Sequence, residues 1–416
     1  MPADDFLDKV RERAAQRDPK ERLENPTEEE QTAANALHNI VSQAVGAKAT
    51  DIHLEIDEKG PKLRYRINGL LYEFPAPSAE IYPRVISRLK IMSDLDVAEK
   101  RVPQSGYSSF NTGNRQVDMR VSTFPSVAGE TAAIRVLDRN NIILGFDRLG
   151  FSPDILPQHL RLLEMPYGMI LVTGPTGGGK TTTLYASLNK VRTARKNIIT
   201  LEDPVEYKLA GVTQGQINVK AGFTFAAGLR SILRQDPNVI MVGEIRDSET
   251  ASTALQISLT GQLVFATLHT NTAPGAVTRL LDMGIEPYLV SSSLLGVINQ
   301  TLVRHICQKC REEYQPDPEI LAEIAPDLKK FENIKFSRGR GCPDCNQTGF
   351  QGRIGLYELM VINRPIREVI LGKPSVEEVT SVALANQMIT LREDGLKKVA
   401  AGIATLEDVT RVTRRE

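Results

Sequence analysis

The run Gly174-Pro175-Thr176-Gly177-Gly178-Gly179-Lys180-Thr181 constrains this chain more than any other part of it. It fits the Gly-x-x-x-x-Gly-Lys-Thr phosphate-loop pattern in full. Glycines let successive backbone N–H groups converge on phosphate oxygens with no Cβ in the way. A helix beginning near Lys180 points its positive end at the same anion. Lys180 can reach the β and γ phosphates of ATP, and Thr181, followed by Thr182, offers a hydroxyl to Mg2+. The context agrees. Met169-Ile170-Leu171-Val172 is a buried-strand signal just before the loop, and Thr182 to Val191 reads as a helix just after it.

Three more apolar strands recur at Asn197 to Leu201, Val239 to Val242 and Leu263 to Ala266, with helical patterns between them. That alternation implies a mainly parallel sheet with helices on both faces. Open sheets of this kind place ligands at the carboxyl ends of their strands. Val239-Ile240-Met241-Val242-Gly243-Glu244 ends there in an acid, so Glu244 is the candidate general base or water positioner. Leu201-Glu202-Asp203-Pro204-Val205-Glu206 ends another strand with three acids. Glu202 and Glu206 are expected to hold Mg2+ through water, with a solvated turn as the alternative. His269, in Thr267-Leu268-His269-Thr270-Asn271, follows the last of these strands. It can donate a hydrogen bond to the γ phosphate, or serve a structural role.

All four cysteines fall in two pairs, Cys307-Gln308-Lys309-Cys310 and Cys342-Pro343-Asp344-Cys345. Four thiolates are the usual complement of a structural zinc site. Gly339 and Gly341 help a tight turn toward the metal. The gap between the pairs is long, so a small subdomain must lie within it. A redox disulfide pair or an iron–sulfur cluster is the alternative.

Upstream, Glu28 to Ala44 has helical spacing, with Ala33, Ala34, Leu37, Ile40 and Val41 on one face. Strand-like alternation follows in Ile52, Leu54 and Ile56, then in Leu63, Tyr65 and Ile67 before an Asn68-Gly69 turn. Val117, Met119 and Val121, then Ala133, Ile134 and Val136, give further strands. The first 30 residues carry 16 charges of mixed sign and read as a solvated or disordered tail. Lys plus Arg equals Asp plus Glu at 51 each, which argues against an obligate nucleic-acid binder. We find no apolar run long enough to span a bilayer and no signal peptide, so a cytoplasmic protein is expected.

Together these motifs resemble the secretion ATPase superfamily, and within it the GspE/PilB-like assembly ATPases of type II secretion and type IV pilus machines. The match runs over roughly residues 36 to 416. Its Asp box is similar to Ile199 to Tyr207. Its atypical Walker B is similar to Leu233-Arg234-Gln235-Asp236-Pro237 through Gly243-Glu244-Ile245-Arg246-Asp247. Its His box resembles Leu259-Thr260-Gly261 through Leu268-His269-Thr270-Asn271. Ala49-Thr50-Asp51-Ile52-His53-Leu54-Glu55 looks like the signature of the family's second N-terminal domain. The resemblance implies a homo-hexamer with active sites between subunits, where Arg120 and Arg135 match arginines that reach the bound phosphates. Surface salt bridges are the plainer reading of both. It also implies attachment to the inner membrane through platform and cytoplasmic-domain proteins of the machine, without direct contact to nucleic acid.

The four-cysteine module disfavours the pilus-retraction members, which lack it. Thr182-Thr183-Leu184-Tyr185, Gly275 to Asp282 and Leu391 to Leu396 favour the type II secretion branch over pilus extension. Three departures stand out: Gln262 replaces a histidine, Gly178 a serine, and Ser105 an acid. The resemblance implies that the family's first N-terminal domain is represented here by a charged remnant. The expected architecture is α/β. A charged tail (1–35) precedes a smaller N-terminal α/β, PAS-like domain (36–148). A RecA-like P-loop core (149–304), a zinc subdomain (305–353) and a C-terminal helical region (354–416) follow. The rival readings are a nucleic-acid motor and a regulatory module that holds nucleotide with little turnover.

Overall fold

The computed structural model describes residues 28–112, 116–138, 145–316, 321 and 335–413. The charged tail before Glu28 and much of the span between the two cysteine pairs lie outside the described residues. The chain divides into two compact units, 1–142 and 143–416.

In the first unit, α1 (Glu28–Gly46) is followed by β1 (Asp51–Asp57), β2 (Gly60–Ile67) and β3 (Leu70–Phe74). Then come α2 (Tyr82–Met92), β4 (Gln104–Asn111), β5 (Gln116–Ser126) and β6 (Gly129–Asp138). The sheet is antiparallel in the order β3-β2-β1-β6-β5-β4. Alternation decides which face is buried. Ile52, Leu54, Leu63, Tyr65, Val117, Met119, Val121 and Ile134 share one core with Leu37, Ile40 and Val41 of α1. Tyr65 donates its hydroxyl to the Ile40 carbonyl at 2.8 Å, so its buried polar end is satisfied. Helix α1 starts inside the segment assigned to the tail, because its apolar face needs Ala33 buried.

In the second unit, a short helix α3 (Phe146–Leu149) and α4 (Leu156–Leu163) lead into β7 (Gly168–Thr173) and α5 (Lys180–Val191). Strands β8 (Ile198–Glu202) and β9 (Thr213–Gln216), helix α6 (Phe225–Ile232), β10 (Val239–Val242), α7 (Ser248–Leu259) and β11 (Leu263–Leu268) follow. Next are α8 (Ala273–Asp282), α9 (Pro287–Ser293) and the long β12 (Leu294–Ile306). The sheet order is β15-β12-β7-β11-β10-β8-β9, with β15 (Phe350–Val361) antiparallel to β12 and the other neighbours parallel. Its inner strands β7, β8, β10 and β11 are buried on both faces, and two hydrophobic cores flank it.

Two features differ from the sequence reading. Strand β12 went unread, and β15 runs from the expected zinc subdomain into a region expected to be helical. Residues 294–301 of β12 and 355–360 of β15 are buried on two sides, so those stretches lack the alternation that marks a half-buried strand. The cysteine segment is therefore the tip of a long antiparallel arm, with a small ribbon of β13 (Arg311–Tyr314) and β14 (Phe336–Gly339). Beyond β15 lie α10 (Arg364–Leu371), α11 (Val376–Ala385), α12 (Leu391–Ala400) and α13 (Leu406–Thr413). Pro365 starts α10 rather than breaking it, since the first helical turn has no use for its missing N–H.

The arm is pinned to these helices by a charge pair. Arg304 of β12 grips Asp408 of α13 with two side-chain bonds of 2.7 Å and a backbone N–H bond of 3.1 Å. Burial works to raise the Asp408 carboxyl, but the bonds and charge of Arg304 outweigh it and hold it below the usual range. A depressed folded value means the stabilisation is whole above the unfolded carboxyl's pKa and is lost as pH falls through the folded one. Asp408→Asn should cost about 3 kcal/mol at neutral pH. That deficit should shrink below about pH 4, where the aspartate begins to protonate in the unfolded state. Urea denaturation of both proteins across that range checks it; a pH-independent gap would contradict the assignment.

Candidate active site and metal centre

Strand β7 delivers the phosphate loop, and the loop folds as the motif requires. Gly174 has φ +133° and Gly179 φ +86°, conformations that side chains resist. Gly179 caps α5 with no side-chain partner, leaving the first helical N–H groups open to an anion. Gly174 and Gly178 are buried, whereas Pro175, Thr176 and Gly177 are exposed, and Thr181 and Thr182 are half-buried. Lys180 turns back on the loop itself, donating to the carbonyls of Gly174 (2.9 Å) and Pro175 (3.0 Å). Burial holds its ammonium below the ordinary lysine value, and the Glu244 charge pulls the other way.

Glu244 leaves β10 between two neighbours. Gly243 lies so close to β8 that a Cβ would stand 3.1 Å from the Leu201 carbonyl oxygen. Thr267 of β11 donates to the Gly243 carbonyl at 2.6 Å, and the Ile245 N–H bonds Thr267 at 2.9 Å. Ile245 is buried, and Asp247 caps α7 through the Thr250 N–H at 2.8 Å. The backbone is thus fixed on both sides, while the Glu244 carboxylate meets the Arg246 guanidinium and lies 3.6 Å from His269 Nε2. Arg246 also lies 3.7 Å from Asp203. The structure therefore brings Lys180, Glu244 and His269 to one sheet edge and adds Arg246, to which the sequence reading gave no role.

Glu202 departs from its expected part. It is buried, and its carboxylate accepts from Tyr185 Oη, from Thr200 Oγ1 at 2.5 Å and from Gln214 Nε2 at 3.0 Å. Those donors take the oxygens that were expected to hold Mg2+. The residue instead ties α5, which carries Tyr185, to β8 and β9. Glu206 lies half-buried beyond the strand, next to Tyr207, whose ring stands edge-on to Tyr185 at 4.5 Å. Gln262 and His269 lie at opposite ends of β11, so Gln262 stands away from the phosphate loop.

Gln300 of β12 was missed. Its backbone and side chain lie beneath the loop, and its Nε2 donates to the Gly178 carbonyl at 2.7 Å. Its neighbour Asn299 links Thr173, at 3.2 Å, to the Asn271 carbonyl in the histidine loop, at 2.7 Å. No pattern marks these two residues, because their roles depend on a strand brought in from far along the chain.

In the first unit, Arg120 and Arg135 are direct cross-strand partners on the exposed face of β5 and β6. Arg135 lies 3.2 Å from Asp51, and Arg120 stands 5.9 Å from the Tyr107 ring centre. Like charges placed opposite each other are destabilising, and the Asp51 carboxylate offsets part of that cost at Arg135.

The four cysteines converge. Their sulfurs lie within 4.8 Å of one another, with individual separations of 3.6 and 3.9 Å. Zinc–sulfur bonds of about 2.3 Å in a tetrahedron require sulfurs about 3.8 Å apart. Burial raises the Cys310 thiol to about 12. Burial also works against ionisation of Cys345, but N–H groups of Cys342 and Gly349 bring that thiol down to about 7. The set fits a zinc ion held by Cys307, Cys310, Cys342 and Cys345.

The family model described as type II/IV secretion system protein matches residues 26–411. This chain belongs to that family. It is an ATP hydrolase of the secretion type. The type II secretion system ATPase E of Vibrio cholerae is 47% identical over 388 residues, covering 93% of this chain and 76% of its own. The type II secretion system protein E of Pseudomonas aeruginosa is 48% identical over 380 residues, covering 91% and 75%. The type IV pilus assembly ATPase PilB of Thermus thermophilus is 42% identical over 404 residues, covering 97% of this chain but 45% of its own. Among solved structures, the pilus retraction motor PilT with bound ADP aligns at TM-score 0.62 and 28% identity, covering 91% of this chain and 97% of its own. The Legionella pneumophila ATPase DotB shares the fold at TM-score 0.66 and 20% identity, covering 90% and 94%.

The metal assignment is checked by composition and melting. Purified protein should carry about one zinc per chain, and Cys345→Ser should lose it. The loss should lower the thermal midpoint, because metal binding is folding energy here. Unchanged metal content in the variant would remove the four-cysteine site.

Proposed function

We propose that this chain is the ring-forming motor of a type II secretion machine, hydrolysing Mg·ATP at a site completed by a second copy of itself. The observation that carries this is the parallel sheet edge itself, where the phosphate loop with Lys180 follows β7 and Glu244, flanked by Arg246 and His269, follows β10. On ATP binding, Lys180 exchanges the Gly174 and Pro175 carbonyls for phosphate oxygens, and the N–H groups at the start of α5 take the rest. Thr181 would hold Mg2+, which would supply charge neutralisation to the transferring phosphoryl group. Glu244 accepts a hydrogen bond from the attacking water and aims its lone pair at the γ phosphorus. Arg246 restrains that carboxylate, and His269 stands within reach of the same region.

Arg120 and Arg135, side by side on an exposed strand face, offer two guanidinium groups for docking on bound phosphates. Planar guanidinium groups neutralise the transferring phosphoryl group there. In a hexamer, the pair supplied by one copy would act on nucleotide held by the next. Domain closure and reopening would then drive platform and cytoplasmic-domain proteins of the machine at the inner membrane, adding pilin-like subunits for export. Pilus extension is the second reading, favoured by the likeness to the Thermus protein.

Phosphate release by size-fractionated protein tests this. Turnover should be confined to a hexamer fraction and fall by about 100-fold or more in Glu244→Gln, with ATP binding retained. Arg120→Ala should fall comparably. Mixed rings of Glu244→Gln and Arg120→Ala subunits should recover part of the lost activity, because some interfaces would then carry both intact groups. Full activity in monomer, or no recovery in mixed rings, would overturn the shared site.

A further inference from the structure

We propose that Gln300 is a positioning residue for the phosphate loop, whose side-chain amide fixes the Gly178 carbonyl and thereby aims the Gly179 N–H at bound phosphate. The proposal rests on the phosphate reading of the loop given above. Gln300 lies outside every motif of the sequence and is 1% exposed. It touches the loop at three glycines. A Cβ at Gly174 would stand 2.0 Å from the Gln300 carbonyl oxygen, one at Gly178 would stand 3.2 Å from it, and one at Gly179 would stand 3.1 Å from its Nε2. The loop therefore sits on Gln300 as on a floor.

The hydrogen bond then sets direction. A trans peptide is planar, with its carbonyl and the following N–H pointing to opposite sides. Holding the Gly178 carbonyl down toward β12 at 2.7 Å turns the Gly179 N–H away from the sheet. That N–H belongs to the first turn of α5, which offers it no internal acceptor. The Gly178 N–H is used within the turn, bonding Pro175 at 3.0 Å. Gln300 thus decides which way the next amide faces.

Stability alone does not account for a glutamine here. Its Oε1 is buried and has no hydrogen-bond partner, which is unfavourable. Methionine has similar size and lacks both the donor and the orphan acceptor. A structural role and a positioning role therefore predict different outcomes for Gln300→Met.

The experiment measures binding of Mg·ATP and of AMP to the full chain, beside thermal unfolding. In Gln300→Met the melting midpoint should hold or rise. The ATP dissociation constant should rise about tenfold, as expected for one lost hydrogen bond to a bound anion's cradle. AMP binding should change less than about twofold, since only the α phosphate is present. Gln300→Leu also removes the donor without adding a charge, and it should show the same selective loss if the methionine variant does not fold. Unchanged ATP affinity, or equal loss for both nucleotides, overturns the proposal. Lys180→Ala separates the two readings. If it too leaves the preference for ATP over AMP intact, the phosphate reading has failed. If it abolishes that preference while Gln300→Met keeps it, only the role of Gln300 has failed.

Discussion

Parallel pairing is the constraint on which the rest of the second unit depends. Strands that run the same way end at the same edge. Register does the remainder: Thr173 pairs with Leu268, and Val242 lies between Leu201 and Ala266. Residues scattered over nearly a hundred positions thus arrive as neighbours, with the loop after β7, the acid after β10 and the histidine after β11 meeting at one rim. Each chemical group follows directly on a strand fixed by ladder bonds on both sides, so its placement is as rigid as the sheet.

The legible and illegible parts of the site separate on the same ground. The phosphate loop could be read because its function demands a local pattern, glycines at fixed spacing before Lys180. The places of Glu244 and His269 at that edge could be read because each follows an apolar strand. For Glu202, sequence shows that a carboxylate stands at a strand end but not that Tyr185, Thr200 and Gln214 surround it. The fold class was equally plain from alternating strand and helix patterns. Strands β12 and β15 were not, because burial on both faces erases the alternation that betrays a strand. With β12 unread, Asn299 and Gln300 had no address. Arg120 and Arg135 were found by resemblance, and no local periodicity would have shown that they face each other across a ladder.

The C-terminal helices are tied to the ATPase sheet by more than apolar contact. Glu358 of β15 accepts the Ala273 N–H at the start of α8 and the Leu391 N–H at the start of α12. Asp394 accepts the Tyr357 N–H at 2.8 Å and pairs with Lys398 in the interior. Such buried charges are retained at a cost, and each is committed to a particular helix end or strand. The helices cannot slide on the sheet without breaking them.

One strand serves both chemical centres. Gln300 lies beneath the phosphate loop, and Cys307 directly follows the end of the same strand. Seven residues of extended chain span about 20 Å. An extended backbone can be bent but hardly lengthened. The phosphate-loop end and the cysteine end are therefore marks on one ruler: the four-cysteine cluster stands at its far end, and the phosphate loop is laid against its near end.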